Sequence, residues 1–146
     1  MYERFETFTV AIVKIHRTIH KIKSEVMAEY QLKSPHVSCL YYLGRSKNSM
    51  TATELCELSA EDKASISRSI DYLEKNGYIA CVSDAKKRYK APLTLTEKGR
   101  DISQKIVQKI EEILSKSNEG LTEESLKSFY DSLLRICDNL QRIGGQ

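Results

Sequence analysis

The 146-residue sequence is poor in residues that break regular structure, with only six Gly and two Pro. That scarcity excludes a turn-dense all-β fold, which needs such residues at its many reversals. No apolar run approaches the ~18 residues of a membrane span. The opening MYERFETF carries acidic residues and no apolar stretch. It lacks the makings of a secretory signal, so the expected setting is the cytoplasm. The four cysteines, Cys39, Cys56, Cys81 and Cys137, include no C-x-x-C spacing. In a reducing compartment they are expected as inert, small apolar residues. A redox sensor would need exposure and a lowered pKa. The chain also lacks a phosphate-cradling Gly loop, a Ser/His/Asp setting and a paired-carboxylate motif above the background of a charged helix. Enzyme chemistry, a cofactor and a metal are therefore not expected.

What is present fits one soluble domain: 40% apolar and 29% charged residues. A chain of this size buries roughly two-thirds of its unfolded surface. The net charge of +3 is unevenly spread. Residues 111–146 carry four basic and seven acidic side chains, which leaves +6 on the first 110. The run KKRYK at 86–90 places four positive charges in five positions. Such a cluster either meets phosphates or is a solvated lysine-rich loop.

Residues 3–30 read as one long helix. Phe5, Phe8, Ile12, Ile15, Ile19, Ile22 and Val26 recur at alternating spacings of three and four, a heptad seam. The seam is longer than a single core needs, so a second subunit is the natural cover; packing within the same chain is the alternative. Ser34-Pro35 starts a second helix, with Ser34 as cap, Val37, Leu40, Tyr41 and Leu43 as its apolar face and Gly44 as its stop. Thr51-x-x-Glu54 is a capping box opening a short third helix with Leu55 and Leu58 inward. Asp62 caps a fourth helix that ends at Asn76-Gly77, with Ile66, Ile70 and Leu73 inward. Residues 79–83 and 90–95 read as two strands joined by DAKKRY, the second an edge strand because Pro92 lacks an N–H. Thr96 caps a fifth helix and Thr122 a sixth, whose apolar face includes Phe129, Leu133, Cys137 and Leu140.

A short helix, a tight turn, another helix and a hairpin make a winged helix-turn-helix. On a wheel of the helix over 63–76, Arg68 lies nearly opposite the apolar stripe, with Ala64 and Lys75 beside it and Ser65 on the flank. Small residues near the N-terminus admit the backbone to a major groove, and one Arg can pair bidentately with guanine. Lys63, Ser65, Ser67 and Arg68 are the candidate contacts; an ordinary amphipathic surface helix is the alternative. The hairpin tip adds Lys86, Lys87, Arg88 and Lys90 for a minor groove or flanking phosphates, with Arg88 as the groove reader.

From Thr51 to Gly99 the sequence resembles the MarR family of bacterial transcription regulators. KASISRSIDYLEKNGYI at 63–79 is similar to the family's recognition helix, and LTEKGR at 95–100 to its wing exit. The family's wing usually reads Asp-Pro-x-Asp-Arg-Arg. Here Asp84 and Arg88 match, while Lys87 and Tyr89 replace the second Asp and second Arg. The resemblance implies that Arg88 reads the minor groove. It also implies a mainly α fold of six helices with a small β-hairpin wing, as one domain over 1–146. Within it, 34–100 would form the DNA-binding lobe, and 1–30 and 101–146 the dimerisation helices. Phe5, Phe8, Ile12, Ile15, Phe129, Leu133 and Leu140 are the expected dimer residues.

The implied partners are double-stranded DNA, a second copy of the chain and a small-molecule effector, with no membrane. The resemblance places an effector pocket near the first two helices and the fifth, where His16, His20, Tyr30, His36 and Tyr41 are the candidates. His16 and His20 share a helical face, and with His36 would make a three-ligand metal site; two histidines on a polar face is the blander alternative. The expected function is an effector-responsive homodimeric repressor reading a palindromic operator. A winged-helix module that binds protein instead is the rival.

Overall fold

The computed structural model describes residues 1–46, 49–82 and 91–145. The order is α1 (Tyr2–Val26), a single 3-10 turn (Ala28–Tyr30), α2 (Ser34–Arg45), α3 (Ala52–Ser59), α4 (Lys63–Lys75), β1 (Ile79–Cys81), β2 (Leu93–Leu95), α5 (Glu97–Ser117) and α6 (Glu123–Gly144). The chain forms two compact units, Met1–Ile110 and Glu111–Gln146. Among the described residues no helix is long and apolar enough to cross a membrane.

In the first unit, α1 stops four residues short of the expected Tyr30. The chain curls back on Met27, whose carbonyl accepts from the amides of both Tyr30 and Leu32. That turn buries Met27 and Leu32 and leaves Gln31 left-handed at φ 59°. The cap of α2 also differs from expectation. Lys33 is the N-cap, and Ser34 is already helical and buried. His36 at the third helical position reaches back, its Nδ1 accepting the Lys33 N–H at 3.0 Å, as the Glu of a capping box does. Gly44 does not end α2. It lies where α5 crosses closest, and a Cβ there would fall 1.7 Å from Ser103 Oγ.

The capping box of α3 forms as read: Thr51 N–H donates to Glu54 at 2.7 Å, and Glu54 N–H to Thr51 Oγ1 at 3.2 Å. Leu55 is fully buried, but Leu58 is 54% exposed, because α3 ends within two residues at left-handed Ala60. The carboxylate of Asp62 caps α4 by accepting Ser65 N–H at 2.8 Å. Ile66, Ile70 and Leu73 of α4 pack with Leu40, Leu43, Leu55, Ile79, Leu93, Ile102 and Ile106 in one core. Each such side chain, fully buried, contributes roughly 1.5–3 kcal/mol.

The strands β1 and β2 pair antiparallel with Ile79 opposite Leu95 and Cys81 opposite Leu93. Both are shorter than expected over their described residues. The second is not an edge, since Leu93 exchanges two hydrogen bonds, 2.8 and 3.2 Å, with Met50 on its other side. Pro92 precedes the paired residues, so its missing N–H removes no ladder bond.

At the foot of the hairpin, Thr96 joins three elements. Its hydroxyl lies 2.6 Å from the Gly77 carbonyl and 3.1 Å from that of Tyr78, and it accepts the Gly99 N–H of α5 at 3.1 Å. Beside it, Lys98 Nζ donates to the Asn76 carbonyl at 2.9 Å. Gly99 lies so close that a Cβ would fall 1.9 Å from the Tyr78 oxygen.

In the second unit, Thr122 caps α6 by accepting Ser125 N–H at 3.2 Å. No residue of α6 is buried, and none of α1 in the first unit.

Candidate nucleic-acid interface

Helix α4 divides by side. Ile66, Ser69, Ile70 and Leu73 are buried, while Lys63, Ala64, Ser67, Arg68, Asp71 and Lys75 are exposed and Ser65 is half-buried. Three of the four candidate contacts on this helix therefore reach solvent on one side, and Ser65 flanks them. Asp62 occupies the amide of Ser65, and the Ser65 carbonyl accepts the Ser69 hydroxyl at 2.8 Å. The backbone of this turn is thus fixed by its own chain, which leaves side chains to meet a partner. Chemically the face offers the Arg68 fork, the Lys63 ammonium and the Ser67 hydroxyl, a set suited to base edges and phosphates.

Lys86, Lys87, Arg88 and Lys90 lie outside the described residues. The base of their hairpin is described, and it is anchored by Met50 on one side and by Thr96 below.

A cleft of about 410 Å³ runs between α3 and α4, lined by Ala52, Thr53, Cys56, Glu57, Lys63, Ile66, Ser67, Ile70 and Asp71. Sequence reading misses it because it arises from the crossing of two helices, not from a motif. Cys56 there donates to the Glu61 carbonyl at 3.1 Å.

The effector candidates have separate settings. His16 and His20 are exposed on α1. Tyr30 accepts from Lys105 Nζ of α5 at 3.0 Å, and this bond raises the Lys105 pKa. Tyr41 meets Tyr42 edge-on at 5.2 Å, with the Arg45 guanidinium 5.7 Å above the Tyr41 ring. Burial, then the neighbouring Tyr41, pushes the Tyr42 hydroxyl up. His36 is buried and stacked on Tyr72 of α4 at 4.2 Å. Among the described residues no group of three or more His, Cys, Asp or Glu is placed to hold a metal. Cys39 is buried, and burial together with the charge of Glu61 pushes its thiol up to about 12.

Comparison with known proteins agrees with this architecture. Residues 30–88 match the model of the MarR family. No curated protein sequence matches the chain. A MarR family transcriptional regulator from Listeria monocytogenes, solved in complex with 26mer DNA, superposes with a TM-score of 0.79 at 24% identity over 94% of this chain and 95% of the other. MarR of Staphylococcus aureus, solved with salicylate and kanamycin, gives 0.80 at 14% identity over 96% and 94%. A MarR family regulator from Neisseria meningitidis gives 0.82 at 18% identity over 97% and 96%. The family match thus covers residues 30–88, and the chain as a whole shares the fold of solved MarR-family regulators, mainly α with a two-stranded antiparallel wing.

Proposed function

We propose that the protein is a sequence-specific DNA-binding regulator, a homodimeric and effector-responsive repressor that reads a palindromic operator in the cytoplasm. The observation that carries this reading is the division of α4: its apolar stripe is consumed by the core, while Lys63, Ser67 and Arg68 stand exposed on a capped, rigid turn. In this reading α4 enters the major groove and Arg68 pairs with a guanine through two N–H donors. Ser65 and Ser67 bond bases or phosphates. Arg88 reads a minor groove, and Lys86, Lys87 and Lys90 hold its flanking phosphates. The structure of the Listeria relative with DNA supports the assignment of duplex DNA as the partner.

The dimer follows from what the chain leaves bare. Phe5, Ile12 and Ile15 of α1 and Phe129 and Leu140 of α6 are 41–66% exposed. Phe8 and Leu133 are half-buried. A second copy covers these faces and sets the two α4 helices about one DNA turn, roughly 34 Å, apart. The effector is a small molecule that binds one spacing of the two halves better than the other. The salicylate bound to the Staphylococcus relative suggests its chemical class, an aromatic acid. His16, His20, Tyr30, His36 and Tyr41 are the residues to vary first in locating it.

The test is selection of bound duplexes from a random pool at near-physiological salt with purified protein. Enrichment of a palindrome with half-sites one turn apart is the expected result. Binding that stays weak, salt-sensitive and without sequence preference overturns it and points to a protein-binding winged helix.

A further inference from the structure

Tyr72 ties helix α4 both to α2 and to the segment before it. The Tyr72 ring stacks on His36 with centroids 4.2 Å apart and planes within 2°. The Tyr72 hydroxyl donates to the carbonyl of Gln31, the left-handed residue, at 2.9 Å. His36 in turn accepts the Lys33 N–H through Nδ1 at 3.0 Å. Since Nδ1 accepts, the neutral ring carries its proton on Nε2.

We propose that His36 is a proton-sensitive positioning residue: neutral, it clamps Tyr72 and so fixes the recognition helix against the start of α2; protonated, it releases that clamp. The consequence for DNA affinity rests on the function proposed above. A proton on Nδ1 would face the Lys33 N–H, donor against donor, and the cap would be lost. The new cation would also sit in the first turn of α2, where the helix dipole opposes it.

The charged neighbours give it little help. Lys33 precedes it in the turn. Lys23 of α1 reaches α2 through Ser38 at 3.0 Å. Arg68 and Lys75 lie one turn either side of Tyr72 on α4, both exposed. Glu29, the acid of the preceding 3-10 turn, is exposed. The face of Tyr72 favours a cation, and α4 carries the acids Asp71, exposed, and Glu74, half-buried, beside it. The net direction is the opposite: burial, then Lys33, holds the His36 pKa below its ordinary 6.5. The unfolded or unclamped chain therefore binds the extra proton more readily. The clamp is at full strength above about pH 6.5 and is lost as pH falls through the lower value of the clamped state.

The experiment follows the full-length protein by NMR and amide exchange from pH 7.5 to 5.5. In the wild type, the Tyr72 ring and α4 amide signals should move with the His36 titration, and α4 exchange should quicken. His36→Asn keeps an acceptor near Nδ1 without a titrating ring, and its α4 should not respond. On the best duplex from the random-pool selection, wild-type affinity should fall roughly fivefold or more over this range, a coupling of ordinary size. His36→Asn should show no such fall. A wild-type α4 that ignores the His36 titration overturns the proposal, even if the variant fails to fold. So does an equal affinity loss in wild type and His36→Asn. If no duplex is bound at any pH, the DNA reading fails, and the clamp is decided by NMR and exchange alone.

Discussion

Arg68 differs from the other polar side chains of α4 in one chemical respect: its planar fork can satisfy two acceptors on one base. Arg68→Ala should therefore weaken binding to the best site by about 1–3 kcal/mol and relax the preference at one base position. Titration against single-base variants of the selected duplex checks this, and uniform loss on every sequence would reduce Arg68 to a phosphate contact. Gly99 is a different kind of requirement. Alanine there gains about 1 kcal/mol of helix propensity. Its Cβ would press on the Tyr78 carbonyl, a backbone atom that cannot swing aside. Overpacking of this kind costs roughly 1–3 kcal/mol. Urea denaturation of Gly99→Ala should show net destabilisation. Among the thiols, buried Cys39, pushed up to about 12, should alkylate only on unfolding. Peptide mapping after a timed iodoacetamide pulse, with and without urea, checks this. The face of α4 is legible in the sequence because period 3.6 sorts side chains without knowing their partners. The role of His36 is not, because its stack on Tyr72 joins residues far apart in the chain.

Helix starts are the elements that sequence describes best. Thr51, Asp62, Thr96 and Thr122 each accept an amide three residues on, and that chemistry is wholly local. Asp62 is the cap with most riding on it, since it fixes the turn that carries Lys63 and Ser65. Asp62→Ala should cost about 0.5–2 kcal/mol of stability. Asp62→Asn should cost less, because an amide oxygen still accepts; thermal melts of the two variants give the comparison. Helix ends are less legible. Gly44 looks like a stop and is instead a contact point, and only the path of α5 past Ser103 reveals the difference. The exposure of Leu58 is hidden for the same reason. Its spacing from Leu55 matches an inward position, but α3 ends before another element covers it. The place of β2 between β1 and Met50 depends on a pairing across more than forty residues, which no local pattern encodes.

For the whole molecule, the heptad seam of α1 is legible as a surplus of apolar surface. What covers it is not written in any local pattern. If a second copy does, then Ile15→Asp places a charge in the seam and should yield monomers that lose specific DNA binding. Sedimentation velocity at micromolar protein reads this directly, and a fully dimeric variant would move the interface elsewhere. Charge distribution adds a matching expectation: +6 on the first 110 residues gives a salt-dependent encounter with any polyanion, which the last 36 do not share. Thr96 offers the last consequence. One hydroxyl, only half-buried, stands at the end of α4, the foot of the hairpin and the start of α5. A saturation scan ranked by burial alone would score it as permissive. Only serine retains that hydroxyl on a comparably small side chain, so the tolerated set at Thr96 should be narrower than at several fully buried leucines, where another aliphatic side chain serves.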